Sequence, residues 1–259
     1  MTAPLATAAL ETEGLTKSFG AIRVAQAIDF RLDRGARHAL IGPNGAGKTT
    51  FVNLVTGRLA PSAGRVLLGG EDVTRLAQAR RVKRGLVRTF QISQLFRGLS
   101  VLENVALSVA ERRGMGGAVF ASSARRRAVL DEAYALLERL RLGPDALTPV
   151  AELPYGRQRL VEIAIALGLE PTVLLLDEPA AGVPSAETGL LLDVIESLPD
   201  TIAVLIIEHD MELVFRVARQ MTVLVQGAVL VTGTPAEIAA DRRVREVYLG
   251  EEQALWPAA

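Results

Sequence analysis

The sequence predicts an α/β fold: a parallel sheet with connecting helices, a small antiparallel sheet beside it, and an inserted helical lobe. Three observations predict it. Val173-Leu174-Leu175-Leu176 and Ile202 to Ile207 are short, continuously apolar runs, as strands covered on both faces of a parallel sheet require. The helical pattern of Glu187 to Leu198 lies between them and makes a βαβ unit. From about Val101 to Leu142, Leu, Val and Ala recur at helical spacing among many Arg and Glu.

Bulk properties bound the rest. With 259 residues, 49% of them hydrophobic, the chain has ample material for a core. Its 29 basic and 29 acidic residues cancel, so no global field favours nucleic acid, and no nucleic-acid partner is expected. The absence of cysteine excludes disulfides, thiolate catalysis and cysteine-ligated zinc. The longest apolar runs are strand-length, far below the roughly 20 residues of a spanning helix. Met1-Thr2-Ala3-Pro4-Leu5 has no basic region ahead of an apolar stretch. A cytoplasmic protein is expected, one that reaches a membrane only by docking to integral partners.

Along the chain, Leu10 to Leu15 alternates imperfectly and reads as an edge strand, whereas Ala27 to Leu32 alternates cleanly. Gly64 to Gly70 is a third short strand between turn signals, and the three suggest a small antiparallel sheet wrapped around the glycine-rich loop at Gly42 to Gly47. Arg37 to Ile41 is an apolar strand, and Thr50 to Val55 reads as helix closed by Gly57. Gly114, Gly116 and Gly117 break the helical middle into at least two helices, and Leu153 to Leu169 is helical again. The expected division is a core of residues 1–90 and 161–259 with a helical lobe at 91–160. Met221 to Val231 reads as a hairpin turning at Gln226-Gly227, and Thr234-Pro235-Ala236-Glu237 opens a helix with a capping box and an N-terminal proline.

The chemistry concentrates in a few segments. Gly42-Pro43-Asn44-Gly45-Ala46-Gly47-Lys48-Thr49-Thr50 fits the phosphate-binding loop Gly-x-x-x-x-Gly-Lys-Ser/Thr in full, between a strand and a helix. Its glycines let several N–H groups point at one anion, and the helix N-terminus adds partial positive charge there. Lys48 is placed to reach outer phosphates, and the Thr49 hydroxyl to ligate Mg²⁺. Asp177-Glu178 ends the apolar strand before Pro179: an Asp there can hold Mg²⁺ and a Glu can polarise an attacking water. Leu205-Ile206-Ile207-Glu208-His209-Asp210 puts His209 just past another buried strand, where its ring could contact a γ-phosphate; the only other histidine, His38, reads as structural. Pro154, Tyr155, Gly156 and Arg157, within Leu153 to Arg159, open the helix Leu160 to Leu169; a glycine-containing helix N-terminus is an anion site, but by themselves these residues read as an ordinary loop-to-helix junction. The basic clusters Arg80, Arg81, Lys83, Arg84 and Arg125, Arg126, Arg127 read as solvated helix faces, the alternative being a contact with a membrane partner or lipid headgroups.

In this order, the phosphate loop, Gln91, a glycine-containing helix start, Leu-Asp-Glu-Pro and His209 resemble the ATP-binding-cassette (ABC) transporter ATPases over nearly the whole chain. The resemblance implies a P-loop NTPase core of the RecA-like type, with an antiparallel β-subdomain and an inserted helical subdomain. It implies ATP and Mg²⁺ as ligands, with Thr49, Gln91 and Asp177 placing Mg²⁺, Glu178 activating water and His209 holding the γ-phosphate. Phe19, in Lys17-Ser18-Phe19-Gly20, matches the aromatic that stacks on adenine. Arg88-Thr89-Phe90-Gln91, Tyr155, Pro179-Ala180-Ala181-Gly182, Glu208 to Met211 and Val247-Tyr248-Leu249-Gly250 look like the ATPases of importers for branched-chain amino acids, amides and urea. Such proteins imply a second ATPase subunit, the same chain or a different one, two membrane permease subunits, a solute-binding protein outside the membrane, and a seat on the inner face of the membrane. A soluble, non-transport ABC ATPase and a nucleotide-dependent regulator are the alternatives.

The chain departs from the family pattern at two places. Pro154 stands where Ser or Ala is usual and brings neither hydroxyl nor N–H, and Arg157 replaces the usual Gln, with a charge that could compensate. Val183-Pro184-Ser185-Ala186 also differs from the common Leu-Asn-Pro form of its loop.

Overall fold

The computed structural model describes residues 8–89, 95–115 and 123–248. The chain folds into two compact units: one takes the chain up to Leu86, Thr172–Glu178 and the chain from Pro199 onward, and the other takes Val87–Pro171 and Pro179–Leu198.

The first unit holds two sheets. Strands β1 (Leu10–Phe19), β2 (Ile22–Leu32), β4 (Ala63–Leu68) and β5 (Glu71–Asp72) form an antiparallel sheet in the order β2-β1-β4-β5. β1 is therefore an inner strand, not the edge its imperfect alternation suggested. Register shifts after Thr12 and Glu13 interrupt its period, so the irregularity marks bulges rather than an exposed edge. The larger sheet has the order β10-β9-β3-β8-β7-β6, with β3 (Arg37–Ile41), β6 (Leu86–Arg88, of which only Leu86 belongs to this unit), β7 (Val173–Asp177), β8 (Ala203–Ile207), β9 (Gln220–Val225) and β10 (Ala228–Gly233). β9, β3, β8 and β7 run parallel, and β10 closes the edge antiparallel to β9. The three-residue β6 gave no periodic signal of its own.

Helix α1 (Lys48–Thr56) is buried on several sides, with Phe51, Val52, Leu54 and Val55 in one cluster with side chains from both sheets. Phe51 meets Phe30 edge-to-face at 5.3 Å. Burying such side chains contributes about 1.5–3 kcal/mol each, which fixes the helix next to the glycine-rich loop. Alternate residues of β3 and β9 face a second cluster, in which Met211 and Val214 of α7 (Met211–Val217), Ile238 of α8 (Pro235–Ala240) and Val244 of α9 (Arg242–Tyr248) are packed. The capping box opening α8 is formed as expected: Thr234 accepts from the Glu237 N–H, and the Glu237 carboxylate accepts from the Thr234 N–H.

Within α2 (Gln78–Val82), the basic cluster departs from its reading as a solvated face. Arg80, Lys83 and Arg84 are exposed, but Arg81 is 1% exposed. Its guanidinium donates to Leu54 O (2.9 Å), Val55 O (2.5 Å), Leu76 O (3.0 Å) and Thr74 O (2.8 Å). A cation with a rigid fork thus satisfies carbonyls in the last turn of α1, which carry the negative end of the helix dipole.

The second unit contains α3 (Val101–Arg112), α4 (Ser123–Arg139), α5 (Tyr155–Gly168) and α6 (Ser185–Glu196), and so takes in α5 and α6 as well as the expected lobe. Gly114 stands at φ +68 just past α3, while Gly116 and Gly117 lie outside the described residues. α5 is buried along almost its whole length, and Gly168 lets α3 come close: a Cβ there would lie 2.2 Å from Ser108 Oγ. Arg125, Arg126 and Arg127 are exposed on α4. Among the described residues, no helix is long and apolar enough to cross a membrane.

Candidate functional site

Parallel register gathers the chemistry of the first unit. Leu40 lies beside Ile207 and Asp177 beside Ile207, so β3, β8 and β7 end together. The segments that leave those ends are Gly42–Thr50, Glu208–His209 and Glu178. Ligands of open α/β sheets bind at such carboxyl ends.

The loop after β3 is built for close approach. Gly42, Gly45 and Gly47 all have positive φ, at 156°, 78° and 101°. A Cβ on Gly42 would sit 2.2 Å from Leu224 O, and one on Gly47 3.0 Å from Val24 O. The turn of the β9–β10 hairpin braces the loop, since the Gly227 N–H donates to Ala46 O (2.9 Å) and the Gln26 N–H to Gly227 O (2.7 Å). No side chain caps the N-terminus of α1, which leaves that end to an external anion. The Lys48 ammonium donates to Gly42 O and to Pro43 O (3.2 Å), so it lies folded over the loop. Thr49 is exposed, as are Asn44 and Gly45.

Asp177 is the last residue of β7 and is half-buried, as is Glu178. Glu178 stands at φ +47, a left-handed conformation that costs an ordinary residue about 1 kcal/mol or more. Its N–H is anchored to Ile207 O at 2.8 Å, so the strand end sets the direction of the side chain. His209 is exposed at the end of β8. Glu208 beside it is 1% exposed, and its carboxylate accepts from the N–H groups of His209 (3.0 Å) and Asp210 (3.3 Å) and lies 3.6 Å from His209 Nδ1. Glu208 thus fixes the backbone that carries the histidine; the sequence reading assigned it no role, although the run Glu208-His209-Asp210 carries it in plain view.

His38 takes the structural part. It is buried, its Nε2 is 2.8 Å from Thr222 Oγ1, and it meets Phe30 edge-to-face at 5.0 Å. Burial pushes its pKa down to about 4.

Phe19 ends β1 on the antiparallel sheet, with 53% of its surface exposed and Lys17 Nζ 5.0 Å above one face. Its ring is therefore not part of the core. Gln91 lies outside the described residues.

Pro154, Tyr155, Gly156 and Arg157 belong to the second unit. Pro154 occupies the N-cap of α5 without a side-chain hydrogen bond. The Gly156 N–H donates to the Glu187 carboxylate at 2.8 Å. The Arg157 guanidinium donates to Asp145 (2.7 Å) and to Arg141 O (3.4 Å). Arg159 forms a buried pair with Glu162 (3.0 Å) and reaches the Tyr155 hydroxyl (3.3 Å) and Ala181 O (3.2 Å). Burial, only partly offset by Arg159, raises the Glu162 pKa to about 7.

The residues present fit a phosphate-bound divalent cation. Among the described residues, no group of three or more His, Asp or Glu is placed to hold a metal by itself. Mg²⁺ usually takes one or two protein oxygens and completes its shell with phosphate and water, and Thr49 and Asp177 supply that number.

Known proteins share this arrangement of segments. The family model described as "ABC transporter" matches residues 25–181, and one described as "Branched-chain amino acid ATP-binding cassette transporter" matches residues 228–254. The chain is 38% identical to the high-affinity branched-chain amino acid transport ATP-binding protein BraF of Pseudomonas aeruginosa, over 93% of this chain and 98% of that protein. It is 37% identical to LivG of Escherichia coli K12, which carries the same description, with the same coverage. A crystal structure of an ATP-binding cassette of an ABC transporter in its ADP conformation superposes with TM-score 0.80 at 29% identity, covering 94% of this chain and 99% of that one. A nucleotide-free cassette gives 0.79 at 29% identity, covering 94% of this chain and 100% of that one.

Proposed function

The chain belongs to the ABC transporter family of ATP-binding cassettes, and from that premise we propose that it is the ATP-hydrolysing subunit of an importer for branched-chain amino acids or related amides. The observation that carries this reading is the pairing of a cassette at residues 25–181 with a branched-chain-type tail at 228–254 in one chain. The shared carboxyl edge of β3, β7 and β8 supports the same reading.

In this reading, ATP lies along Gly42–Thr50 with its adenine against Phe19. Backbone N–H groups of the loop and the Lys48 ammonium bind the outer phosphates, for which Lys48 leaves the loop carbonyls it now meets. Thr49, Asp177 and Gln91 hold Mg²⁺, which when bound neutralises charge on the phosphate oxygens. Glu178 orients the attacking water and takes its proton, a new P–O bond forms as the bond to the ADP oxygen breaks, and phosphate leaves. The His209 ring, on a backbone held by Glu208, donates a hydrogen bond to the γ-phosphate. Pro154 to Arg157 face the nucleotide held by a second ATPase subunit. The segment 91–160 is the coupling lobe, joined through the Gln91 region to two permease subunits, so the chain sits on the inner face of the membrane. A solute-binding protein outside delivers the cargo.

Purified chain carrying Lys48→Ala tests this. ATP binding falls by about 100-fold or more with the fold intact, since a charge-assisted contact and an anion site are lost together. Uptake assays on the assembled complex then read the solute. Undiminished ATP binding and turnover in that variant would end the proposal.

A further inference from the structure

The N-terminus of α5 already has an anionic occupant. The Gly156 N–H donates to Glu187 Oε2 at 2.8 Å, and a Cβ on Gly156 would lie 2.3 Å from that oxygen and 2.9 Å from Glu187 Cβ. The carboxylate is thus seated directly on the helix backbone. Pro154 at the N-cap offers neither a side-chain bond nor an N–H, so Gly156 is a principal donor left at this end.

Resting on the proposed function, we propose that Glu187 is a built-in competitor for the nucleotide phosphate at the start of α5, and that the phosphate must displace it before this helix engages. A carboxylate and a phosphate are both anions, and one N–H group cannot serve both at full strength. Glu187 is half-buried and lies in the first turn of α6, so a displaced carboxylate keeps a favourable place near the positive end of its own helix. The segment that carries it is also tied to α5 by Arg159, which donates to Ala181 O at 3.2 Å and stacks 5.4 Å from the Tyr155 ring. Glu187 is a positioning residue in this scheme.

The test compares ATP turnover by the membrane complex with and without Glu187→Gln. The amide keeps the size but loses the charge, and charged hydrogen bonds are roughly twice as strong as neutral ones, so half-maximal turnover is expected at about five- to tenfold less ATP. The maximal rate is unchanged or raised. An unchanged or higher half-saturation overturns the inference, and a simple cap would move only the thermal midpoint. The Gly156 amide resonance of the isolated chain gives a second measurement. Its hydrogen exchange is slowed by the carboxylate in the unaltered chain and speeds up several-fold in Glu187→Gln; equal exchange in the two chains overturns the inference even with normal turnover. Absence of turnover in the unaltered complex, with the Gly156 amide still protected in it and released in Glu187→Gln, counts against the proposed function and supports the carboxylate seat.

Discussion

His38 and His209 show how one residue type takes opposite parts. His38 lies inside β3, packed on Phe30 and bonded to Thr222, whereas His209 projects past the end of β8 with most of its side chain exposed. The first is held by packing, whereas the second is fixed through its backbone N–H, from which the Glu208 carboxylate accepts. His38→Ala is expected to cost about 2–4 kcal/mol in chemical denaturation, from a cavity and a lost buried hydrogen bond, with ATP affinity nearly unchanged. His209→Ala is expected to leave stability within about 0.5 kcal/mol and to lower turnover by roughly 100-fold. Phosphate release and denaturant titration on the two variants read both quantities.

At the scale of elements, α1 is a helix with its ends committed. Its N-terminus has no side-chain cap and opens onto the glycine loop, while its C-terminus is closed by Gly57 and by the buried Arg81 fork. Arg81→Met should destabilise the first unit by about 3 kcal/mol, because buried carbonyls lose a charged donor. Lys in its place should restore little, since it cannot present a planar fork. Thermal denaturation of the two variants separates these outcomes. α5 differs, in that its N-cap is Pro154 and its first-turn donor Gly156 is held by Glu187. Pro154→Ser supplies a hydroxyl and an N–H to that end, so ATP turnover of the assembled complex should rise several-fold, as about 1.5 kcal/mol is a factor of ten. Steady-state turnover at saturating ATP measures it, and no increase would remove Pro154 as a weak point.

At the scale of the whole molecule, one buried group in each unit pulls stability in opposite directions with pH. His38 in the first unit has its pKa lowered to about 4 by burial, so the unfolded chain, at about 6.5, binds the proton first, and stability is lost as pH falls from 6.5 through 4. Glu162 in the second unit has its pKa raised to about 7, so the folded state binds the proton first, and stability is lost as pH rises from the usual carboxylate range through 7. Each effect has a ceiling of about 3 kcal/mol. Hydrogen exchange, corrected for intrinsic rate, should show the first unit more protected at pH 7.5 than at 5 and the second unit the reverse; Glu162→Gln should flatten the second trend. What the sequence determined by itself is local and chemical. Glycine spacing, the Lys48–Thr49 pair, the acids ending an apolar run and the capping box of α8 depend on residues a few positions apart, and such patterns survive in one dimension. Tertiary structure decided what depends on distant partners: that β1 is an inner strand, that Arg81 is a buried clamp rather than a wet face, and that Glu187 sits on Gly156. Burial and pairing are set by what the fold brings alongside a residue, and a charge run or an imperfect alternation reads the same in water as in a core until those neighbours are known.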